Sequence, residues 1–140
     1  MYLPDRQIVG SGTSMTAFGA TATAATGDMS ANIISDPVDC WAVAYGCLEF
    51  VWVATGGSPV GTLAVDGCGG SWNKDRPSTI NWIDISSLIT PSLPAVSGAG
   101  TAIVNLGNLG FRAIRVRYVR TSGGANNQLS VWFNGKSAAG

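Results

Sequence analysis

The side chains able to do chemistry in this sequence are few, and the commonest kinds are missing. There is no histidine, which removes Ser-His-Asp and Cys-His nucleophilic catalysis together with the most frequent transition-metal ligand. The three cysteines, Cys40, Cys47 and Cys68, form no Cys-x-x-Cys pair. Neither a zinc site nor a disulfide framework is indicated, and free thiols acting as small apolar residues are expected, although a Cys40–Cys47 bridge stays open. No glycine-rich phosphate loop precedes a helix. The carboxylates could supply a pair for glycoside hydrolysis, but Asp36 and Asp66 adjoin proline or glycine, where an Asx-turn role is expected. Glu49 is the exception, since it falls within a nearly apolar strand. It is a buried functional carboxylate, the partner of an arginine, or an exposed edge residue. No catalytic residue, cofactor or metal is assigned, and an enzyme is not expected.

Binding chemistry is better represented. Trp72 stands in a glycine-rich loop, and Trp132 falls on an outward strand position close in pattern to Arg115 and Arg117. Aromatic platforms of this kind stack on sugars or nucleobases, so Trp72 is a candidate glycan contact. Arg115, Arg117 and Trp132 could line a single-stranded nucleic-acid groove, or arginine could stack on tryptophan within or between subunits. The second is preferred, and no nucleic-acid partner is expected.

The elements that position these residues are strands. In 111–136, Ile114, Val116 and Tyr118 alternate with Arg115 and Arg117, and Leu129, Val131 and Phe133 alternate with Ser130 and Trp132, the period of half-buried strands. The Ser122–Asn127 loop has residues that tolerate turns, so this stretch reads as a hairpin. Its register would set Val116 near Phe133, Tyr118 near Val131 and Trp132 beside Arg117. Upstream, Cys40–Thr55 reads as two strands split at Gly46. Leu48, Phe50 and Trp52 share one face, and the other face is also mostly apolar, as in a central or covered strand. Thr62–Asp66, Ile80–Ile85 and Thr101–Leu106 are further strands, with a surface excursion from Ser86 to Gly100. Seven or eight short strands without a convincing helix predict an all-β fold, a single jelly-roll-like or immunoglobulin-like β-sandwich over 31–140. Residues 1–30 are dominated by small side chains. They are expected to be an extended N-terminal arm, anchored on a neighbour through Ile8, Val9 and Phe18.

Composition sets the remaining bounds. The 140 residues are enough for one domain, and 19 glycines with 11% charged residues suit a turn-rich β protein whose surface is partly covered. The formal net charge is zero, yet residues 1–70 carry six acids and one base whereas 71–140 carry seven bases and two acids. That asymmetry implies charge complementarity within one fold or between subunits. No signal peptide or membrane span is visible, and folding in a reducing cytosol is expected.

The segments Asn32-Ile33-Ile34-Ser35, Gly57–Val65 (Gly-Ser-Pro-Val-Gly-Thr-Leu-Ala-Val), Gly69-Gly70-Ser71-Trp72-Asn73 and Ile114–Gly123 followed by Leu129–Lys136 resemble small all-β structural proteins of bacteriophage particles. The likeness spans about 28–140, strongest over 111–136. The loop before Trp72 departs from the pattern, with Asp66-Gly67-Cys68-Gly69-Gly70 in place of a Ser-x-Asp-Gly run. What the resemblance implies is a virion component made in the bacterial host cytoplasm, a capsid decoration or cement protein. Independently of the resemblance, the low charge, the two-sided apolar strand, the small-residue arm and the arginine–tryptophan face fit a subunit whose surface is largely shared. The expected partners are therefore the major capsid protein and copies of itself, as a trimer, with Ile8, Val9, Phe18, Arg115, Arg117 and Trp132 at interfaces. The alternative is a spike or tail-associated module that binds host glycan through Trp72.

Overall fold

The computed structural model describes residues 6–10, 27–40, 43–53, 58–108 and 110–137. Ten strands occur among them: β1 (Arg6–Val9), β2 (Ile33–Ile34), β3 (Val38–Asp39), β4 (Tyr45–Val53), β5 (Val60–Cys68), β6 (Ile83–Asp84), β7 (Ala95–Ser97), β8 (Gly100–Asn108), β9 (Ala113–Ser122) and β10 (Gln128–Lys136). The only helical pieces among the described residues are single 3-10 turns at Pro77–Thr79 and Ser86–Leu88.

All pairings are antiparallel, and they build two sheets. The first runs β1-β10-β4-β8. The second runs β2-β9-β5-β6, with β3 also on β9 and β7 also on β5. The expected all-β sandwich is therefore what the chain forms. Alternation along each long strand sends one set of side chains inward. Leu48, Phe50, Trp52, Val104, Leu129, Val131 and Phe133 come from the first sheet, and Leu63, Val65, Ile114, Val116 and Tyr118 from the second, all in one buried cluster. Each large side chain so covered contributes about 1.5–3 kcal/mol of hydrophobic stabilisation before entropy is counted.

The predicted terminal hairpin does not form. β9 pairs with β5, β2 and β3, whereas β10 pairs with β4 and β1, so the two strands lie in different sheets. The loop between them crosses the edge of the sandwich. Gly123 and Gly124 turn it with φ of 66° and 91°. A Cβ on Gly124 would collide with the Met29 carbonyl, and one on Gly123 with that of Ser58, so the crossing is packed against two other segments. Both arrangements bury the same residues, which is why alternation alone cannot separate them.

Two further expectations change. Cys40–Val43 is not a strand in its described residues, and one strand, β4, runs from Tyr45 through Gly46 between β10 and β8, its register with β8 shifting between Gly46 and Cys47. The boundary at residue 30 does not hold for the described parts of the N-terminal region. Ile8 and Val9 have no exposed surface, and β1 pairs with β10 of its own chain. Met29 is likewise fully covered, and its N–H donates to the Asn127 carbonyl. Ile8 and Val9, expected at a subunit interface, are core residues instead. Phe18 lies outside the described residues.

Local repairs keep the short edge strands attached. Between β2 and β3, the Ser35 hydroxyl accepts the Val116 N–H at 2.8 Å, while the Ser35 N–H donates to the Val116 carbonyl at 2.9 Å. A side chain thus completes a ladder the main chain leaves, as buried backbone groups require. On the opposite edge the Ser86 hydroxyl accepts from Val65 N–H at 2.9 Å.

Candidate functional site

The densest group of polar and aromatic side chains lies on the outer face of the second sheet, around Asp66. Residues Asp66 and Arg115 are direct cross-strand partners on β5 and β9, and Asp84 of β6 is paired with Asp66 from the other side. Alternation therefore puts all three on one face, with Arg117 two residues along. Asp66 Oδ2 accepts from Arg115 Nε and from Arg117 Nε, each at 2.8 Å, and Asp66 Oδ1 accepts from Arg117 Nη2 at 3.0 Å. Arg117 Nη2 also reaches Asp84 Oδ2 at 3.2 Å. Arg117 thus grips Asp66 with two nitrogens, the geometry in which guanidinium and carboxylate match best.

Asp66 is 3% exposed although it points away from the core. A carboxylate so covered is stable in its charged form only with compensating donors, and the two guanidinium groups supply three hydrogen bonds. The Asp84 carboxyl lies below its ordinary range because the Ser86 side chain and then the Ser86 N–H bond it, with the Arg117 charge adding to the effect. Hydrogen bonding to Asp66, above all, raises Arg117 further, so its charge is permanent.

Two tryptophans extend the group. The Arg115 guanidinium lies 4.7 Å from the Trp82 ring centroid, and Trp82 meets Trp72 edge to face, 6.3 Å between centroids and 64° between planes. Both rings are half-buried. The 69–82 loop that carries Trp72 is held in turn by Trp72 N–H to Gly69 carbonyl and by Asn81 N–H to the Ser71 hydroxyl. Among the described residues Arg115 donates through Nε to Asp66, and its terminal nitrogens lie beside the paired rings.

The expected site residues are thus partly regrouped. Arg115 and Arg117 do lie together and outward. Trp132 does not join them, because β10 belongs to the first sheet, where Trp132 sits between Gln7 and Glu49 in the outer-face row that ends at Ile103. The tryptophan beside the arginines is Trp82, which the sequence reading does not single out. Asp66 is not a turn residue, since β5 continues to Cys68. Glu49 is a half-buried outer-face residue with Trp132 on one side and Ile103 on the other. The long alternation from Thr62 could have flagged Asp66, because an acid at an outward position between neighbouring strands needs a cross-strand base.

The cysteines are free thiols. Burial, followed by the charge of Asp39, pushes Cys40 up to about 12, and burial also raises Cys68. A thiol of that kind is protonated and unreactive at neutral pH. Among the described residues no three His, Cys, Asp or Glu side chains cluster as metal ligands, and no helix is long and apolar enough to cross a membrane.

No protein-family model matches the chain, and no curated protein and no solved structure matches it significantly.

Proposed function

We propose that this chain is a structural protein of a bacteriophage particle, a capsid-associated decoration or cement subunit that bridges its neighbours as a symmetric oligomer. The observation that carries the reading is the apolar character of positions that alternation turns outward. Ile103 on the first sheet is 60% exposed, and Ile34 and Val119 on the second are 55% and 40% exposed. Strands of a body surrounded only by water place polar residues there; large apolar groups on both outer faces suit a body gripped from two sides. The resemblance over 111–136 supports the same role.

The mechanism of bridging differs from the expected one in two respects: Ile8 and Val9 are core residues of their own chain, and the arginines are engaged internally. Asp66 already pairs with Arg115 and Arg117 in the same chain, so the acidic half of a neighbour is not what they meet. The contacts fall to the apolar outer-face residues and to free sheet edges, and the major capsid protein and copies of the chain are the partners. The test is quantitative mass spectrometry and image reconstruction of purified particles. A copy number matching the icosahedral lattice, with density over capsomer junctions, is expected. A dozen copies or fewer at one vertex contradicts decoration.

A second reading has its own observation. Trp72 and Trp82 make a half-exposed, edge-to-face pair beside the terminal guanidinium nitrogens of Arg115, an arrangement suited to a sugar ring with an acidic substituent. Specific binding on a glycan array that disappears in Trp72→Ala would favour a surface module that binds host glycan. Absence of any binding in the parent chain would discard it.

A further inference from the structure

We infer that β8 is a self-association edge, and that two copies of this chain pair antiparallel through Thr101–Ile103 to join their first sheets into one. The parity of the hydrogen bonds fixes which groups are available. At Asn105 both main-chain groups point away from β4, since its N–H donates to the Thr90 carbonyl at 2.8 Å and its carbonyl accepts from Thr90 N–H at 3.3 Å. The β4–β8 register runs without a shift from Asn105 back to Gly100. Alternation then turns the N–H and C=O of Ile103 and Thr101 the same way, and no described residue bonds them. Both side chains are exposed on the outer face.

Unpaired strand edges are templates for another strand, and folded proteins blunt them with charge, proline, bulges or brevity. The other outer strands among the described residues are blunted: β1 has a shifted register between Gln7 and Val9, and β2, β3, β6 and β7 are two or three residues long. β8 has nine residues, Gly100 to Asn108, with neither a charge nor a proline, and its own register shift, between Asn105 and Gly107, lies outside the open stretch Thr101–Ile103. Its occupant is a second copy because the open stretch is self-complementary. With a two-fold axis at Ala102, Thr101 faces Ile103 of the partner and Ile103 faces the partner's Thr101, so the two outward residues of each copy exchange four main-chain hydrogen bonds. No like charges oppose each other across the axis. The Thr90 contact at Asn105 ends the pairing on both sides and leaves no frayed edge for a third chain, so the contact closes as a dimer instead of growing.

This inference does not depend on the particle reading, and the two fail separately: a dimer in solution without lattice copy number sinks only the latter. The experiment is sedimentation velocity of the full chain over a hundred-fold concentration series, for the parent, Ile103→Lys, Thr101→Lys and the control Ile83→Lys. Ile83 is 57% exposed and lies on β6, in the second sheet, which does not pair with β8. The parent and Ile83→Lys should dimerise with the same dissociation constant. Both β8 variants should shift it at least ten-fold toward monomer, with circular dichroism and melting temperature unchanged, because each brings a pair of like charges onto adjoining strands. A parent that stays monomeric at the highest concentration overturns the inference. So does a dimer that persists unweakened in both β8 variants.

Discussion

The two outer faces of the sandwich handle their polar groups in opposite ways. On the second sheet, Asp66, Asp84, Arg115 and Arg117 neutralise one another, two charges of each sign, across three strands. On the first sheet the central outer row is Gln7, Trp132, Glu49 and Ile103, and it ends at a strand edge whose main-chain groups at Ile103 pair with no described residue. Charge is thus concentrated where it serves the fold. Contact surface is left where the fold has no further use for it. Arginine beside tryptophan, a pattern that usually draws attention as an interface, is here an internal clamp holding the 69–82 loop onto β9.

Breaking the clamp should therefore cost stability. Asp66→Ala leaves two partly covered guanidinium groups without their main acceptor, and a loss of about 2–4 kcal/mol is expected, read as the urea midpoint at constant slope. Dimerisation should not change beyond what stability dictates. A cost under about 0.5 kcal/mol, the range of exposed ion pairs, would move the clamp into the same class as the first sheet's surface. Trp82→Ala removes the ring under Arg115 and the edge contact with Trp72. The expected cost is about 1–2 kcal/mol, and the 69–82 loop should become susceptible to limited proteolysis while the β8 contact is untouched.

Smaller effects sharpen the comparison. Tyr118 is fully buried on the inner side of the clamp's own strand, and its hydroxyl has no hydrogen-bond partner among the described residues. Tyr118→Phe should be neutral or stabilising by up to about 1 kcal/mol in the same urea titration, the reverse of Asp66→Ala on the adjoining strand. Asp84 gives a pH signature. Its folded-state value is lowered, chiefly by Ser86, so its contribution is present above its unfolded value near ~4 and disappears as pH falls through the lowered one. Asp84 is largely exposed, and Asp84→Asn should cost only a few tenths of a kcal/mol at neutral pH. Melting curves of parent and variant should converge once the pH has fallen through that lowered value.

Alternation made the inward set legible. Leu48, Phe50, Trp52, Leu63, Val65, Ile114, Val116, Tyr118, Leu129, Val131 and Phe133 read as buried from their own neighbours, and they are. Strand partnership was not legible in the same way. A loop rich in glycine and asparagine serves equally to return a strand within its sheet or to carry it across to the other. The decision between β5 and β10 as partner of β9 rests on packing some fifty residues distant. Asp66 illustrates the same limit, since its acceptor role depends on arginines 49 and 51 residues away, whereas its neighbour Gly67 suggests a turn locally. Trp82 carries no signal of its own in the sequence, because Ile80–Ile85 yields only two paired residues and the covering of Arg115 is a loop contact without a sequence period. The charge asymmetry between halves did anticipate a complementary pair, and within one fold Asp66 meets Arg115 and Arg117.

The central claim is that Arg115 and Arg117 belong to the fold and not to a partner. Its most direct test is the double charge reversal Arg115→Glu, Arg117→Glu, with monomer stability measured by urea unfolding and association by sedimentation of whatever remains folded. The clamp predicts a large loss of monomer stability, since three carboxylates and Asp84 would then crowd one face, and ordinary dimerisation of the residual native chain. A double variant as stable as the parent but unable to associate would contradict it and return the arginines to an intersubunit surface.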